Sequence, residues 1–185
     1  MMQHSKVRNL TMDAVFLALL IVFAMVPAIP LGFIPVPIVL QNVGVMLISL
    51  LLGARRGTAV MAVFVIMIAL GLSVLTGGHG GLAILAGPTA GYIWAWLLQP
   101  AGFALLARFV PKTDGAVMPN FFFSFALIFI LDFFMVFGLG SAWLAHVAHM
   151  DFIKAYLGNM AFVPGDLIKV FLATTVATAI QSRVK

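Results

Sequence analysis

The sequence predicts an all-α integral membrane protein, a compact bundle of six transmembrane helices in one domain that covers residues 1–185. Two observations support this fold class. First, 64% of the residues are apolar and only 8% are charged, whereas a soluble domain of this length needs many more ionised side chains to cover its surface. Second, the apolar residues fall into six runs, each close to the roughly 20 residues that a helix needs to cross a bilayer.

Short connections join the predicted spans. The spans are Leu10–Ile29, Ile38–Gly53, Thr58–Leu75, Gly87–Phe109, Pro119–Ala145 and Met160–Gln181. The second span is the shortest, so we expect it to stand steeply in the bilayer or to use flanking residues.

A proline-rich segment, residues 29–38, connects the first two spans. Regular helix is excluded there by three prolines, Pro30, Pro35 and Pro37. The segment nevertheless stays apolar, through Leu31, Phe33, Ile34 and Val36. Non-helical backbone survives near a membrane only where protein or a water-filled cavity satisfies its polar groups. We therefore expect a re-entrant cap that folds against the bundle.

Most basic residues fall on one side of the predicted bundle. Eight of the ten Lys and Arg residues lie there: Lys6, Arg8, Arg55, Arg56, Arg108, Lys112, Arg183 and Lys185. Cytoplasmic connections carry an excess of Lys and Arg, so the sequence predicts that this side and both termini are cytoplasmic.

Several function classes are excluded by the composition. Without cysteine there are no disulfides, thiolate metal sites or thiol nucleophiles. No Walker-type glycine loop is present, so this chain is not expected to hydrolyse ATP itself. The charge of +5 is spread in pairs between apolar runs, so no nucleic-acid partner is predicted. His146, His149 and Asp151 lack a fourth ligand, and no metal site is predicted there.

Polar residues gather toward the predicted outer side of the membrane. Those near the outer ends of the spans are Gln41, Thr89, Tyr92, Asn159, Asp166 and Lys169, and the glycine-rich stretch 77–81 forms an outer loop. Convergent polar groups in an otherwise apolar cavity are typical of a small-molecule site. The pattern favours a ligand pocket that opens outward. The alternative is that these are ordinary polar residues at the membrane interface, and this alternative applies above all to Gln41.

Asp166 and Lys169 are the strongest candidates for a site within the membrane. Their i, i+3 spacing places them on one helix face, where they can pair. Charged residues within a span usually face the bundle interior or a transport pathway. The preceding Pro164-Gly165 suits a helix start, whose free N–H groups and dipole favour a carboxylate. The alternative is an ion pair that serves only the structure.

Asp132 also lies within a predicted span and has no cation near it in the sequence. It could couple transport to protons, be a protonated structural residue or form a helix contact, and we favour a structural role.

Ala14 and Ala18 form a small-xxx-small pair in the first span. Small residues at this spacing let another helix approach closely. The neighbouring helix could belong to this bundle or to a separate partner.

Several motifs follow one another in an order that is typical of one family. They are IPLGFIPVPI at 29–38, Gln41, Gly44-Val45, LLLG at 50–53, RRG at 55–57, the glycines of 77–81, GPTAGY at 87–92 and PGDLIK at 164–169. In these motifs the sequence resembles the BioY family, the biotin-binding membrane subunits (S components) of energy-coupling-factor (ECF) vitamin transporters. The resemblance extends over nearly the whole chain, and its most specific parts are the proline-rich loop and the Pro-Gly-Asp-x-x-Lys element.

The resemblance implies a six-helix S component of a bacterial cell membrane, with a biotin site near its outer face. The expected substrate-binding residues are Asp166, Lys169, Tyr92, Thr89, Gly91, Gln41 and Asn159. No cofactor is implied, because biotin is the transported ligand. Two residues depart from the family pattern: His79 stands where a small residue is common, and Ala90 where a second glycine is common.

The resemblance also implies protein partners. Ala14 and Ala18 match an Ala-x-x-x-Ala contact through which S components meet a transmembrane coupling subunit. That subunit and two ATPase subunits would provide ATP-driven uptake; self-association is the alternative.

The chemistry of biotin fits these residues. Asp166 can accept from the ureido N–H groups, Lys169 can donate to a ligand oxygen, and Tyr92 suits the apolar ring system. Three other readings stay open at this point: an S component for another vitamin, a proton-coupled carrier centred on Asp132, and a membrane-embedded enzyme that uses Asp132 or Asp166 as acid or base.

Overall fold

The computed structural model describes residues 2–32, 35–111 and 118–183, with side chains from residue 6 onward. The regular elements in these ranges are helices: α1 (Met2–Ala24), α2 (Gln41–Ala69), α3 (Ala90–Leu106), α4 (Phe121–Leu131), α5 (Phe137–Val147), α6 (Phe152–Gly158) and α7 (Val163–Arg183). A π-helical segment, Asp132–Val136, joins α4 to α5, and a 3-10 turn, Asn159–Ala161, precedes α7. The predicted all-α fold class is confirmed.

Four helical segments are long and apolar enough to cross a membrane. Within the described ranges these are Lys6–Ala24, Gln41–Ala69, Phe121–Val147 and Val163–Arg183, and Ala90–Leu106 is a shorter apolar helix. Their outward faces carry large apolar side chains such as Leu10, Phe122 and Ile168. Exposed apolar surface on this scale suits a lipid environment better than water.

Helix α2 is a hairpin rather than one straight helix. Its 29 residues would extend about 43 Å if straight, yet Gln41 at its start donates a hydrogen bond to the carbonyl of Val74, beyond its end, at 2.9 Å. The chain reverses at Gly53, whose φ of 71° and ψ of 178° are accessible essentially only to glycine. The two arms correspond to the second and third predicted spans. The separate connection expected at residues 54–57 is wrong, because the helix resumes directly after Gly53.

Other boundaries also differ from the predicted spans. Helix α1 ends at Ala24 rather than Ile29, since Pro27 and Pro30 follow closely and disfavour helix before them. Helix α7 begins at Val163 rather than Met160, and Asn159 lies in the 3-10 turn before it.

The proline-rich connection folds back on itself as expected. Ile29 and Ile38 form an antiparallel bridge with two backbone hydrogen bonds of 2.9 Å, and Val36 is buried. Phe33 and Ile34 of the predicted cap lie outside the described residues.

The basic residues mark one end of the bundle. Arg56, at the turn of the α2 hairpin, pairs with Asp13 of α1 at 2.6 Å and donates to the side chain and carbonyl of Asn9. The chain runs from Gln41 to this turn, and along α7 from Asp166 to Arg183. The described basic clusters therefore lie at the end away from Gln41 and Asp166. Lys112 and Lys185 lie outside the described residues.

Candidate ligand-binding site

A cavity of about 330 Å³ opens at the end of the bundle opposite the basic clusters that include Arg56 and Arg183. Its wall is formed by the proline-rich segment, the start of α2, the 75–84 loop, α3, the π segment and α7. The lining residues are Pro35, Val36, Pro37, Ile38, Val39, Gln41, Asn42, Leu75, Thr76, His79, Ile84, Thr89, Tyr92, Ile93, Trp96, Val136, Phe137, Phe162, Asp166 and Lys169. A mostly apolar wall with a few polar groups, at this volume, is typical of a small-molecule site.

Asp166 and Lys169 form a buried ion pair on this wall. The Nζ of Lys169 donates to Oδ1 of Asp166 at 2.8 Å, and the two side chains are only 11% and 5% exposed. Asp166 lies in the first turn of α7, where the helix dipole favours a carboxylate. One carboxylate oxygen and one ammonium hydrogen make this bond, which leaves capacity on both groups for a ligand.

Asp132 lies beside this pair, although nothing in the sequence around it indicated a cation. It is 1% exposed, begins the π segment, and has Asp166 and Lys169 as electrostatic neighbours. The Nδ2 of Asn42 donates to its Oδ1 at 3.5 Å. The fold therefore gathers two carboxylates and one ammonium group, of which Asp166 and Lys169 line the cavity and Asp132 lies behind its wall.

Gln41 lies on the cavity wall, but its hydrogen bonds go to the protein. Its Nε2 donates to the carbonyls of Leu20 and Val74, and its Oε1 accepts from the backbone and hydroxyl of Thr76. These four bonds tie α1, α2 and the outer loop together. Gln41 thus shapes the site, and this arrangement differs from the direct ligand contact that the resemblance implied.

Tyr92 contributes its ring to the cavity, whereas its hydroxyl is used elsewhere. The hydroxyl donates to Oδ1 of Asn159 at 2.9 Å, and Nδ2 of Asn159 donates to Ser141 at 2.7 Å. Asn159 is fully buried behind Tyr92 and is not a lining residue. It is therefore placed to orient the tyrosine rather than to touch a ligand.

Thr89 and Gly91 also differ in whether they line the cavity. Thr89 lines the cavity, and its side chain makes no capping hydrogen bond to α3, so its hydroxyl is available to a ligand. Gly91 is not among the lining residues; a Cβ there would overlap the side chain of Trp143 and the carbonyl of Leu139. Close packing of α3 on α5 therefore accounts for a glycine at this position, and its contact with a ligand stays a prediction.

Three lining residues with hydrogen-bonding side chains were missed from the sequence: Asn42, Thr76 and Trp96. Trp96 could have been predicted from the sequence, because it follows Thr89 by seven positions and Tyr92 by four and so lies on the same helix face as both. No pattern in the sequence pointed to Thr76, since only the fold brings this loop to Gln41. His79, singled out for the outer lid, lines the cavity and pairs with Leu75 in an isolated bridge.

Ala14 and Ala18 are exposed on α1. Their shared face is therefore not used for packing within the described part of this bundle, which leaves it open to a separate helix.

Comparison with known proteins gives one consistent relationship. A family model described as the BioY family matches residues 1–185. The biotin transporter BioY of Rhizobium etli (strain CFN 42) is 40% identical over 176 residues, which are 94% of this chain and 93% of that protein. The biotin transporter BioY of Lactococcus lactis subsp. cremoris is 35% identical over 183 residues, which are 99% and 95% of the two chains.

The fold has a solved counterpart. The crystal structure at 2.1 Å of the S-component for biotin from an ECF-type ABC transporter matches with a TM-score of 0.91 and 34% sequence identity. The match covers 98% of this chain and 95% of that one.

Proposed function

Because this chain belongs to the BioY family, we propose that it is a biotin uptake protein, the substrate-binding S component of an ECF-type transporter. It captures biotin with high affinity at the cavity and delivers it to the cytoplasm. The observation that carries this proposal is the buried Asp166–Lys169 pair, which lies on the wall of the cavity. The relatives carry the names of transporters, so we propose transport rather than catalysis.

The chain crosses a bacterial cell membrane six times in this proposal. The crossings are α1, the two arms of α2, α3, the continuous α4–α5 segment and α7. Both termini and the α2 turn face the cytoplasm, in agreement with the positive-inside bias of Lys6, Arg8, Arg55 and Arg56. The cavity then opens to the outside, where the vitamin is captured.

The groups on the wall complement the chemistry of biotin. Its ureido ring offers N–H donors to the Asp166 carboxylate and a carbonyl to the Lys169 ammonium, and hydrogen bonds to charged groups are the stronger ones. Its apolar bicyclic ring fits against Tyr92 and Trp96. Its valerate carboxylate extends toward the outer loop.

Direct binding tests this proposal. Purified protein is titrated by calorimetry with biotin, thiamine and riboflavin. Saturable binding of biotin, with no heat from the other two vitamins, is expected. Binding of thiamine or riboflavin in place of biotin would show that the chain serves another vitamin, and no binding of any of the three would overturn the proposal.

The ATP-dependent step requires separate subunits. We propose that a transmembrane coupling subunit, itself carrying two ATPase subunits, docks on the exposed Ala14–Ala18 face of α1. Small residues allow close helix approach there. Large apolar side chains beside them, including Val15 and Val22, extend this face.

A bulky residue on this face is expected to separate uptake from binding. Ala14→Trp or Ala18→Trp should lower ATP-dependent biotin uptake by about tenfold or more, because the helices can no longer approach closely. Biotin affinity should stay unchanged, since the cavity lies elsewhere. Ala126→Trp is the matched control, because Ala126 is an exposed alanine on α4. Equal uptake by all three variants would contradict the assigned interface.

A further inference from the structure

Asn42 carries a buried hydrogen-bond acceptor without a partner. The side chain is 7% exposed, and its Oδ1 has no hydrogen-bond partner among the described residues. Buried polar atoms in native proteins are usually paired, so an exception calls for an explanation. Thr58, Gln99 and Thr174 also have such atoms, but none of these three residues lines the cavity. Asn42 does.

The surroundings of Asn42 hold its amide in one orientation. Its Nδ2 donates to Asp132, and a carboxylate accepts hydrogen bonds, so the amide nitrogen turns toward Asp132 and the unpartnered oxygen away from it. Asn42 is the second residue of α2, directly after Gln41. The four hydrogen bonds of Gln41 therefore fix the backbone that carries Asn42.

The π segment provides the second half of this arrangement. It begins at Asp132 and buries both Asp132 and Val136, and Val136 is itself a lining residue. Single π turns inside α-helices are frequent at functional sites, because they redirect side chains that a regular helix would place elsewhere. Here the π turn lies where Asp132 meets Asn42.

We propose that Asn42 is a further ligand-binding residue, whose Oδ1 accepts one of the two ureido N–H groups of biotin, and that Asp132 is the residue that positions it. This inference rests on the proposed function. Asp166 then accepts the other N–H, and Lys169 donates to the ureido carbonyl. Two acceptors around one donor match the donor–acceptor–donor pattern of a cyclic urea. A ring with a single N–H group would leave either Asn42 or Asp166 without its partner, so the arrangement selects against it.

Biotin derivatives that are methylated on one or the other ureido nitrogen test this assignment. Calorimetry is used to compare biotin and both N-methyl derivatives on the unchanged protein, on Asn42→Leu and on Gln99→Leu. Gln99 is the matched control, because it is a buried amide without a partner that does not line the cavity. Asn42→Leu should weaken biotin binding about fivefold to tenfold, the usual size for one neutral hydrogen bond, and Gln99→Leu should bind as the unchanged protein does.

The derivatives add a signature that a general structural defect would not produce. For the derivative methylated at the nitrogen that faces Asn42, Asn42→Leu should cause no further loss, because the hydrogen bond is already absent. For the other derivative, Asn42→Leu should cause its full loss. Should Asn42→Leu not fold, Asn42→Ala carries the same comparison. Equal biotin affinity of the unchanged protein and the Asn42 variant, or equal losses for both derivatives, would overturn the assignment.

Asp132 is tested through the cost of methylating the ureido nitrogen that faces Asn42. Asp132→Asn keeps an acceptor for the amide of Asn42, so this methylation should still weaken binding, whereas in Asp132→Leu it should cost little affinity. A full cost in both variants, or in neither, would contradict the positioning role. If the unchanged protein did not bind biotin at all, the proposed function itself would fail, which is a distinct result from unchanged binding by the Asn42 variant.

Discussion

Asp166→Asn is expected to lower the biotin affinity by about 100-fold, a larger loss than that of any neutral group in the cavity. A hydrogen bond to a charged group contributes about 1.5–3 kcal/mol, against about 1 kcal/mol for a neutral one, and about 1.4 kcal/mol corresponds to a factor of ten. The substitution also removes the negative charge of the group to which Lys169 donates at 2.8 Å. The ammonium is then held less firmly for the ligand oxygen.

The neighbouring carboxylate, Asp132, determines how far Asp166→Asn destabilises the fold. Removing one member of an isolated buried ion pair is strongly destabilising, because the other charge is left without compensation. Here Asp132 remains as an electrostatic neighbour of Lys169. We therefore expect Asp166→Asn to fold, and to show its main loss in binding.

Calorimetry and thermal melting in one detergent separate these two effects. Asp151→Asn is the matched control, since Asp151 is an exposed carboxylate that caps α6 by accepting from the backbone of Lys154. That control should bind biotin as the unchanged protein does. An Asp166→Asn variant with intact biotin affinity would remove the charge-assisted contact from the proposed site.

The parts of the site that the sequence predicts are those that depend on local spacing. Asp166 and Lys169 are three residues apart on one helix, so their pairing follows from helix geometry alone. The apolar runs likewise predict the helices, because the length of a span is set by the thickness of the bilayer.

The parts that the sequence does not predict depend on contacts between distant residues. Asn42 and Asp132 are separated by 90 positions, and Tyr92 and Asn159 by 67. No local pattern reports such a pair. The hydrogen bonds of Gln41 illustrate the consequence. A polar residue at the predicted pocket fits a ligand contact until the fold shows that α1 and the loop after α2 occupy its hydrogen-bonding groups.

Gly140→Ala is expected to weaken both the fold and the site, although it adds a single methyl group. A Cβ at Gly140 would overlap the ring of Tyr92. The ring can move away only toward the cavity that it lines, at the expense of the hydrogen bond from its hydroxyl to Asn159. Overpacking of this kind costs about 1–3 kcal/mol. We expect a lower melting temperature and, because Tyr92 is displaced into the cavity, weaker biotin binding.

Gly138 gives the matched control on the same helix. Nothing lies within 4 Å of a Cβ at Gly138, and alanine favours a helix over glycine by about 1 kcal/mol. Gly138→Ala should therefore leave biotin binding unchanged and keep or raise the melting temperature. The cause is isolated by repeating Gly140→Ala in a Tyr92→Ala background, where the added methyl group no longer meets a ring and should cost little. Equal destabilisation by Gly140→Ala with and without the Tyr92 ring would contradict this explanation. It would show that the packing of Tyr92 on Gly140 does not orient this wall of the cavity.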